Sequence, residues 1–167
     1  MFDPVRKLDA ADVREGFDCG HQALNQYLQR FALMNQSAGM AQTWVSCVRS
    51  EGPPVVAAWY SLAFGSVEPS DVSARVRQGI ARHPIPVMVL ARLAVDLRYQ
   101  KQGLGRAMLK DALLRTEQAA DIAGIRAVLV HAKNESARQW YLSWDFEPGP
   151  GDANQLFLLM KDLRALL

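Results

Sequence analysis

The chain has 167 residues, half of them hydrophobic, with 19 lysine and arginine residues against 17 aspartate and glutamate residues. That length suits one domain, residues 1–167, with a core of its own, and no run of about 18 residues lacks a charge or strong polar group, which excludes a membrane-spanning helix. Two cysteines, Cys19 and Cys47, and three histidines without ligand spacing, His21, His83 and His131, exclude a disulfide framework or a metal site.

The opening phrase MFDPVRKLDAADVREGF lacks a cationic start followed by an apolar stretch, so no export signal is expected and a cytoplasmic protein follows. Residues 5–9 read as a short strand ahead of a loop with Gly16 and Gly20. Leu24, Tyr27, Leu28 and Phe31 recur at i, i+3, i+4 and i+7, which predicts a helix from His21 to about Met34. Thr43 to Val48 and Val55 to Phe64 read as a hairpin around Gly52-Pro53-Pro54. Glu68 to His83 reads as a short helix and loop, stopped by His83-Pro84-Ile85-Pro86.

Val87 to Val95 is a β-branched and aliphatic run broken by Arg92, which suits a mostly buried strand. Gly103 and Gly105 then open an amphipathic helix that runs to about Ile122, with Met108, Leu109, Ala112, Leu113, Ala119 and Ala120 on one face. A strand at Ala127 to Val130 follows, and the helix between the two supplies the crossover that parallel neighbours need. Asn134 is placed to cap a helix carrying Ala137, Trp140, Tyr141 and Trp144, and Leu156 to Lys161 closes the chain as a last strand. The pattern predicts a mixed α/β sheet with helices on both faces.

Charge is unevenly spread. Residues 72–110 hold eight basic side chains (Arg75, Arg77, Arg82, Arg92, Arg98, Lys101, Arg106 and Lys110) against Asp96 alone, whereas the flanking segments are acidic. Arginine outnumbers lysine fourteen to five, which favours phosphate recognition. A polyanion such as RNA, or a solvated basic surface, accounts for this excess.

A strand followed by glycines at a helix start suits phosphate, because glycine lets backbone N–H groups close in and the helix N-terminus carries partial positive charge. The hexapeptide Gln100-Lys101-Gln102-Gly103-Leu104-Gly105 has this form but matches neither G-x-G-x-x-G nor a P-loop. On residues alone, a diphosphate cradle and a bare turn relieved by glycine both remain open.

Gln-x-x-Gly-x-Gly after LARLAVD resembles the acetyl-coenzyme A signature of the GCN5-related N-acetyltransferases (GNAT). The resemblance implies a GNAT fold: a mixed, mostly antiparallel sheet flanked by helices, with a V-shaped splay between two parallel central strands. It assigns Gln100, Gly103 and Gly105 to the pyrophosphate of acetyl-coenzyme A, with Lys101, Gln102, Leu104 and Arg106 supplying neighbouring amides. The segment Asn134-x-x-Ala137-x-x-Trp140-Tyr141 with Phe146-Glu147-Pro148 resembles a second family stretch, in which the tyrosine reaches the coenzyme sulfur and Asn134 falls on the cofactor side. This chain departs at Asp145, where the family pattern has glycine, so either the turn after the helix is less strained or Asp145 adopts a left-handed conformation. Without the resemblance, Tyr141 is one more aromatic in a buried stripe.

Within the family, the phrase FDCGHQALNQYLQRFALMNQSAGMAQTWVS resembles the acetyltransferase toxins of bacterial toxin–antitoxin pairs, which acetylate aminoacyl-tRNA. That resemblance implies a charged tRNA as substrate, a ribbon-helix-helix antitoxin as partner and a homodimer. Arg30, Arg75, Arg77, Arg82 and Arg92 are the candidates for tRNA contacts. In the implied chemistry an amine attacks the thioester, a backbone N–H within Leu93, Ala94 and Val95 stabilises the oxyanion, and Tyr141 protonates the leaving thiolate. An α-amino group titrates near pH 7.7–8.0 and needs no dedicated base, whereas a lysine at about 10.4 needs one, for which Glu68 and Asp96 are the candidates. Asp96 reads better as a strand end or loop cap. The alternatives are the same catalyst acting on a protein N-terminus or small-molecule amine, and a non-catalytic nucleic-acid-binding or regulatory domain.

Overall fold

The computed structural model describes residues 1–167. In chain order the elements are β1 (Arg6–Lys7), α1 (Gln22–Gln26), a π turn (Tyr27–Phe31), α2 (Ala32–Ser37), β2 (Gln42–Val48), β3 (Val55–Val67), α3 (Ala74–Arg77), β4 (Ile85–Val95), α4 (Leu104–Ala120), β5 (Ala127–His131), α5 (Glu135–Leu142), β6 (Glu147–Pro148), β7 (Gln155–Leu159) and α6 (Met160–Leu166). The strands form one mixed sheet in the order β1-β2-β3-β4-β5-β7-β6. Two compact units divide the chain, one of Met1–Ala63 with Arg92–Ala112 and one of Phe64–Ala91 with Leu113–Leu167. Strands β3 and β4 and helix α4 each contribute residues to both.

In the first unit β1, β2 and β3 pair antiparallel, from Arg6↔Val45 at the edge to Gln42↔Leu62 along the hairpin, with a bulge between Ser46 and Cys47. The predicted helix over 21–34 is present and continues to Ser37, but its middle turn is wide: the N–H of Ala32 reaches the carbonyl of Tyr27, five residues back. Its apolar side packs Tyr27, Leu28 and Ala32 with Leu8, Phe17, Val45, Val56, Trp59 and Ala94. Leu28 is wholly buried, a gain of about 1.5–3 kcal/mol from that side chain alone.

In the second unit β4 and β5 pair parallel, from Val87↔Ala127 to Leu90↔Val130. The pairing ends there although β4 runs on to Val95. Strand β5 pairs antiparallel with β7, and β7 with β6. The core is Val67, Val72, Val76, Ile85, Val87, Ala127, Leu129, Phe157 and Leu159. The closing strand is shorter than expected, because the chain turns into α6 at Met160 and buries Met160 and Leu163 from a helix. The first strand is also short, two residues against the five expected, with its ladder pairs at Arg6↔Val45 and Lys7↔Trp44.

Candidate active site

The end of β4 and the turn into α4, both in the first unit, build one candidate site. The N–H of Asp96 donates to the carbonyl of Ala57 on β3. Because backbone groups alternate along a strand, the N–H groups of Leu93 and Val95 point away from β3, where no β5 pairing follows. Beyond the short turn Leu97–Tyr99, Lys101 adopts φ 62° and Gly103 φ 83°. Helix α4 starts at Leu104, and its first internal bond runs from Ala107 to the carbonyl of Gly103. The N–H groups of Gly103, Leu104 and Gly105 therefore precede the first internal bond of the helix, and they open at its positive end. Left-handed residues next to a helix start make a concavity of N–H groups, the form a diphosphate requires. Gly103 is needed for its backbone angle, since a Cβ there would meet nothing within 4 Å.

This turn is braced from below. Asp96 is buried, and its carboxylate accepts from the Arg98 N–H and Nε at 2.9 Å each, from Arg98 Nη2 at 3.0 Å and from the Asp18 N–H at 3.2 Å. Burial alone would raise its pKa, but the hydrogen bonds from Arg98 and Asp18 outweigh it and hold the carboxyl below its ordinary range. Asp96 thus caps the turn, its side chain accepting the Arg98 N–H. From the other side, the Leu97 N–H donates to the Asp18 carbonyl at 2.8 Å, and the Asp18 carboxylate holds the Gly20 N–H and the Asn25 side-chain amide. Asn25 in turn accepts from the Cys19 N–H.

Helix α5, in the second unit, carries the other expected residues. Asn134 caps it, its side-chain oxygen accepting from the Ala137 N–H at 2.8 Å, as the sequence predicts. Tyr141 is buried at 8% exposure, with its ring edge-on to Trp140 and Phe146. Burial pushes the Tyr141 phenol well above its ordinary value of 10, with no hydrogen bond or charge acting against it. The helix ends in a turn where Asp145 sits at φ 70°, the left-handed one of the two alternatives left open for it.

Residues 62–148 match the profile of the acetyltransferase (GNAT) domain. The whole chain is 43% identical over 166 residues to a tRNA-acetylating toxin of Mycobacterium tuberculosis, covering 99% of this chain and 97% of that one. The chain belongs to the GNAT family. Among solved structures, AtaT complexed with acetyl-methionyl-tRNAfMet superposes with a TM-score of 0.91 at 28% identity, covering 99% of each chain. AtaTR bound with AcCoA superposes with a TM-score of 0.86 at 29% identity, covering 98% of this chain and 96% of that one.

As a GNAT member the chain is an acetyl-coenzyme A-dependent N-acetyltransferase with a GNAT fold. The expected tRNA-contact residues are differently placed within it. Arg30 and Arg82 are exposed. Arg75 is ion-paired with Asp162 at 2.6 Å and Glu147 at 3.4 Å, and Arg77 donates to the Val72 carbonyl. Arg92 lies over the ring of Tyr27, its guanidinium carbon 3.6 Å from the centroid. Glu68 is exposed just past the end of β3. Sequence reasoning missed the bracing by Asp18 and Asn25. Asp18-Cys19-Gly20 has the spacing of an aspartate that receives the N–H two residues on, and an asparagine between apolar helix positions was the other available signal.

Proposed function

We propose that this chain transfers acetyl from acetyl-coenzyme A to the α-amino group of an aminoacyl-tRNA, blocks translation in the cytoplasm as a homodimeric toxin, and is neutralised by a ribbon-helix-helix antitoxin. The observation that carries this reading is the 43% identity to a tRNA-acetylating toxin along 99% of the chain. The likeness to AtaT, a protein solved with acetyl-methionyl-tRNAfMet and, in another structure, with the antitoxin AtaR, supports the same substrate class and a partner of that kind.

The residues divide the work as follows. The N–H groups of Gly103, Leu104 and Gly105, with those of Lys101, Gln102 and Arg106 beside them, hold the pyrophosphate, and Gln100 and Asn134 serve the cofactor side. Acetyl-coenzyme A supplies the acetyl group as a thioester. Val95 or Leu93 donates its free backbone N–H to the carbonyl oxygen as negative charge develops there. The carbon–nitrogen bond forms as the carbon–sulfur bond breaks. Tyr141 gives its proton to the departing sulfur and regains one from the amine, so protons balance over the turnover. With Asp96 locked in its cap, no carboxylate is required as base, because an α-amino group loses its proton near pH 8 unaided.

The test is to incubate purified protein with labelled acetyl-coenzyme A and total charged tRNA, deacylated tRNA or a peptide pool. Label confined to charged tRNA is the expected result. Label in peptides transfers the same chemistry to a protein amine, and label nowhere removes the catalytic reading.

A further inference from the structure

Arg92 is half-buried on β4, beside the residues whose backbone N–H groups are free. Its guanidinium lies flat on Tyr27, 3.6 Å from the ring centre. Tyr27 is itself stacked on Trp59, with ring centres 5.6 Å apart and planes inclined by 17°. Both aromatic rings are buried, and the Tyr27 hydroxyl receives the Asn35 side-chain amide at 3.3 Å. The three planar groups form a column, with Tyr27 at the first position of the π turn, a feature frequent at functional sites. The stack fixes the arginine's plane and lowers the entropy lost when it binds.

No carboxylate pairs with this guanidinium and no hydrogen bond uses it. The contrast with Arg75 and Arg98 is direct, since both are spent on buried or half-buried carboxylates. An oriented, half-desolvated guanidinium with its donors unspent is a receptor for a planar or tetrahedral anion. Its neighbours in sequence are the residues proposed to bind the reacting carbonyl, so the anion it meets is the one nearest the acceptor amine.

We propose that Arg92, held flat by Tyr27, receives the 5′-phosphate of the terminal nucleotide of charged tRNA, the nucleotide that carries the amino acid. The inference rests on the aminoacyl-tRNA reading above. Arg92 is then a substrate-binding residue, and Tyr27 a positioning residue that acts through it.

Two substrates differing only by that phosphate and the chain beyond it test the idea: charged tRNA and aminoacyl-adenosine. Arg92→Met should raise KM for charged tRNA about 10-fold or more, leave turnover of aminoacyl-adenosine and acetyl-coenzyme A affinity as in the wild type, and reduce the slope of log affinity for tRNA against log salt by about 0.7, the single-strand value for one phosphate. Tyr27→Phe should keep tRNA turnover and salt slope, whereas Tyr27→Leu should lose part of both. Equal losses on the two substrates, weakened acetyl-coenzyme A binding, or an unchanged salt slope in Arg92→Met overturns the proposal. Wild-type protein that acetylates neither substrate removes the underlying reading and the proposal with it, a result separate from any of these.

Discussion

The side-chain amide of Gln100 reaches back 2.9 Å to the carbonyl of Val95, and 3.4 Å to that of Cys19. One residue of the glycine turn is thereby tied both to the end of the central strand and to the N-terminal segment. Gln100→Glu puts a carboxylate against two carbonyl oxygens, so the turn should loosen. Acetyl-coenzyme A affinity, read by calorimetry, should fall about 10-fold, the scale of one lost hydrogen bond with an acceptor left facing a charge. Unchanged affinity would separate the amide from the cradle.

Gly103 stands at φ 83° with open space around it, so Gly103→Ala isolates backbone strain from steric clash. The expected cost is about 1–2 kcal/mol, visible as weaker acetyl-coenzyme A binding with the far-ultraviolet spectrum unchanged. Binding at wild-type strength would mean that the turn tolerates a side chain in the left-handed region, and would sink the nest argument.

Tyr141→Phe should lower acetylation about 10²-fold or more, the scale typical of losing a general acid, with acetyl-coenzyme A still bound. The pH profile carries a second expectation. A group whose pKa is raised above 10 stays protonated throughout the working range, so loss of the acid cannot bend the profile below pH 10. The wild-type rate should climb as the substrate amine deprotonates near pH 8 and then stay level to about pH 10. A fall between those values would contradict the assignment, and toxicity that survives Tyr141→Phe without acetylated product would point to a binding module.

Asp96 gives a stability test with a fixed sign. Its carboxyl is held below the ordinary 3.8, so the stability it contributes is complete above that value and is lost as the pH falls through the lower, folded-state pKa. Asp96→Asn should cost about 2 kcal/mol at neutral pH, since charge-assisted bonds to a buried group are removed, and should flatten the acid limb of a denaturant-midpoint profile below about pH 4. A variant with the same acid limb as the wild type would show that other carboxylates set it.

Gly149 tests the second unit by itself. A Cβ at this position would lie 2.6 Å from the Asp71 carbonyl oxygen and 3.1 Å from the Phe157 ring. Gly149→Ala should therefore destabilise by about 1–3 kcal/mol, a Tm drop of roughly 2–4 °C per kcal/mol for a chain of this size. Gly124→Ala, with nothing within 4 Å, is the matched control and should leave Tm in place.

Much of this architecture is written locally. The hairpin, the parallel pair with its crossover and the Asn134 cap follow from periodicity, turn residues and capping chemistry, whereas the left-handed Asp145 was one alternative raised by the family resemblance. What was not legible depends on distant partners. That β4 outruns its pairing with β5 at Leu90 is a matter of register between segments 40 residues apart in sequence. The basic stretch reads as a free polyanion surface until Asp162, 87 positions away, takes up Arg75. Leu156 to Lys161 reads as strand throughout because α6 has no side-chain cap to announce its start. The π turn likewise leaves no mark in a pattern that fits an ordinary helix.

The brace beneath the glycine turn sets a lower limit on what can be cut from this protein. The family profile begins at residue 62, yet the Asp18 carbonyl and N–H, the Asn25 amide and the Tyr27 ring all come from outside it. A fragment trimmed to the profile would retain every signature residue of the cofactor turn and lose the groups that keep Asp96, Leu97 and Arg92 in position. Substitutions near the start of the chain should therefore register in cofactor and substrate binding although they fall far from the glycine turn.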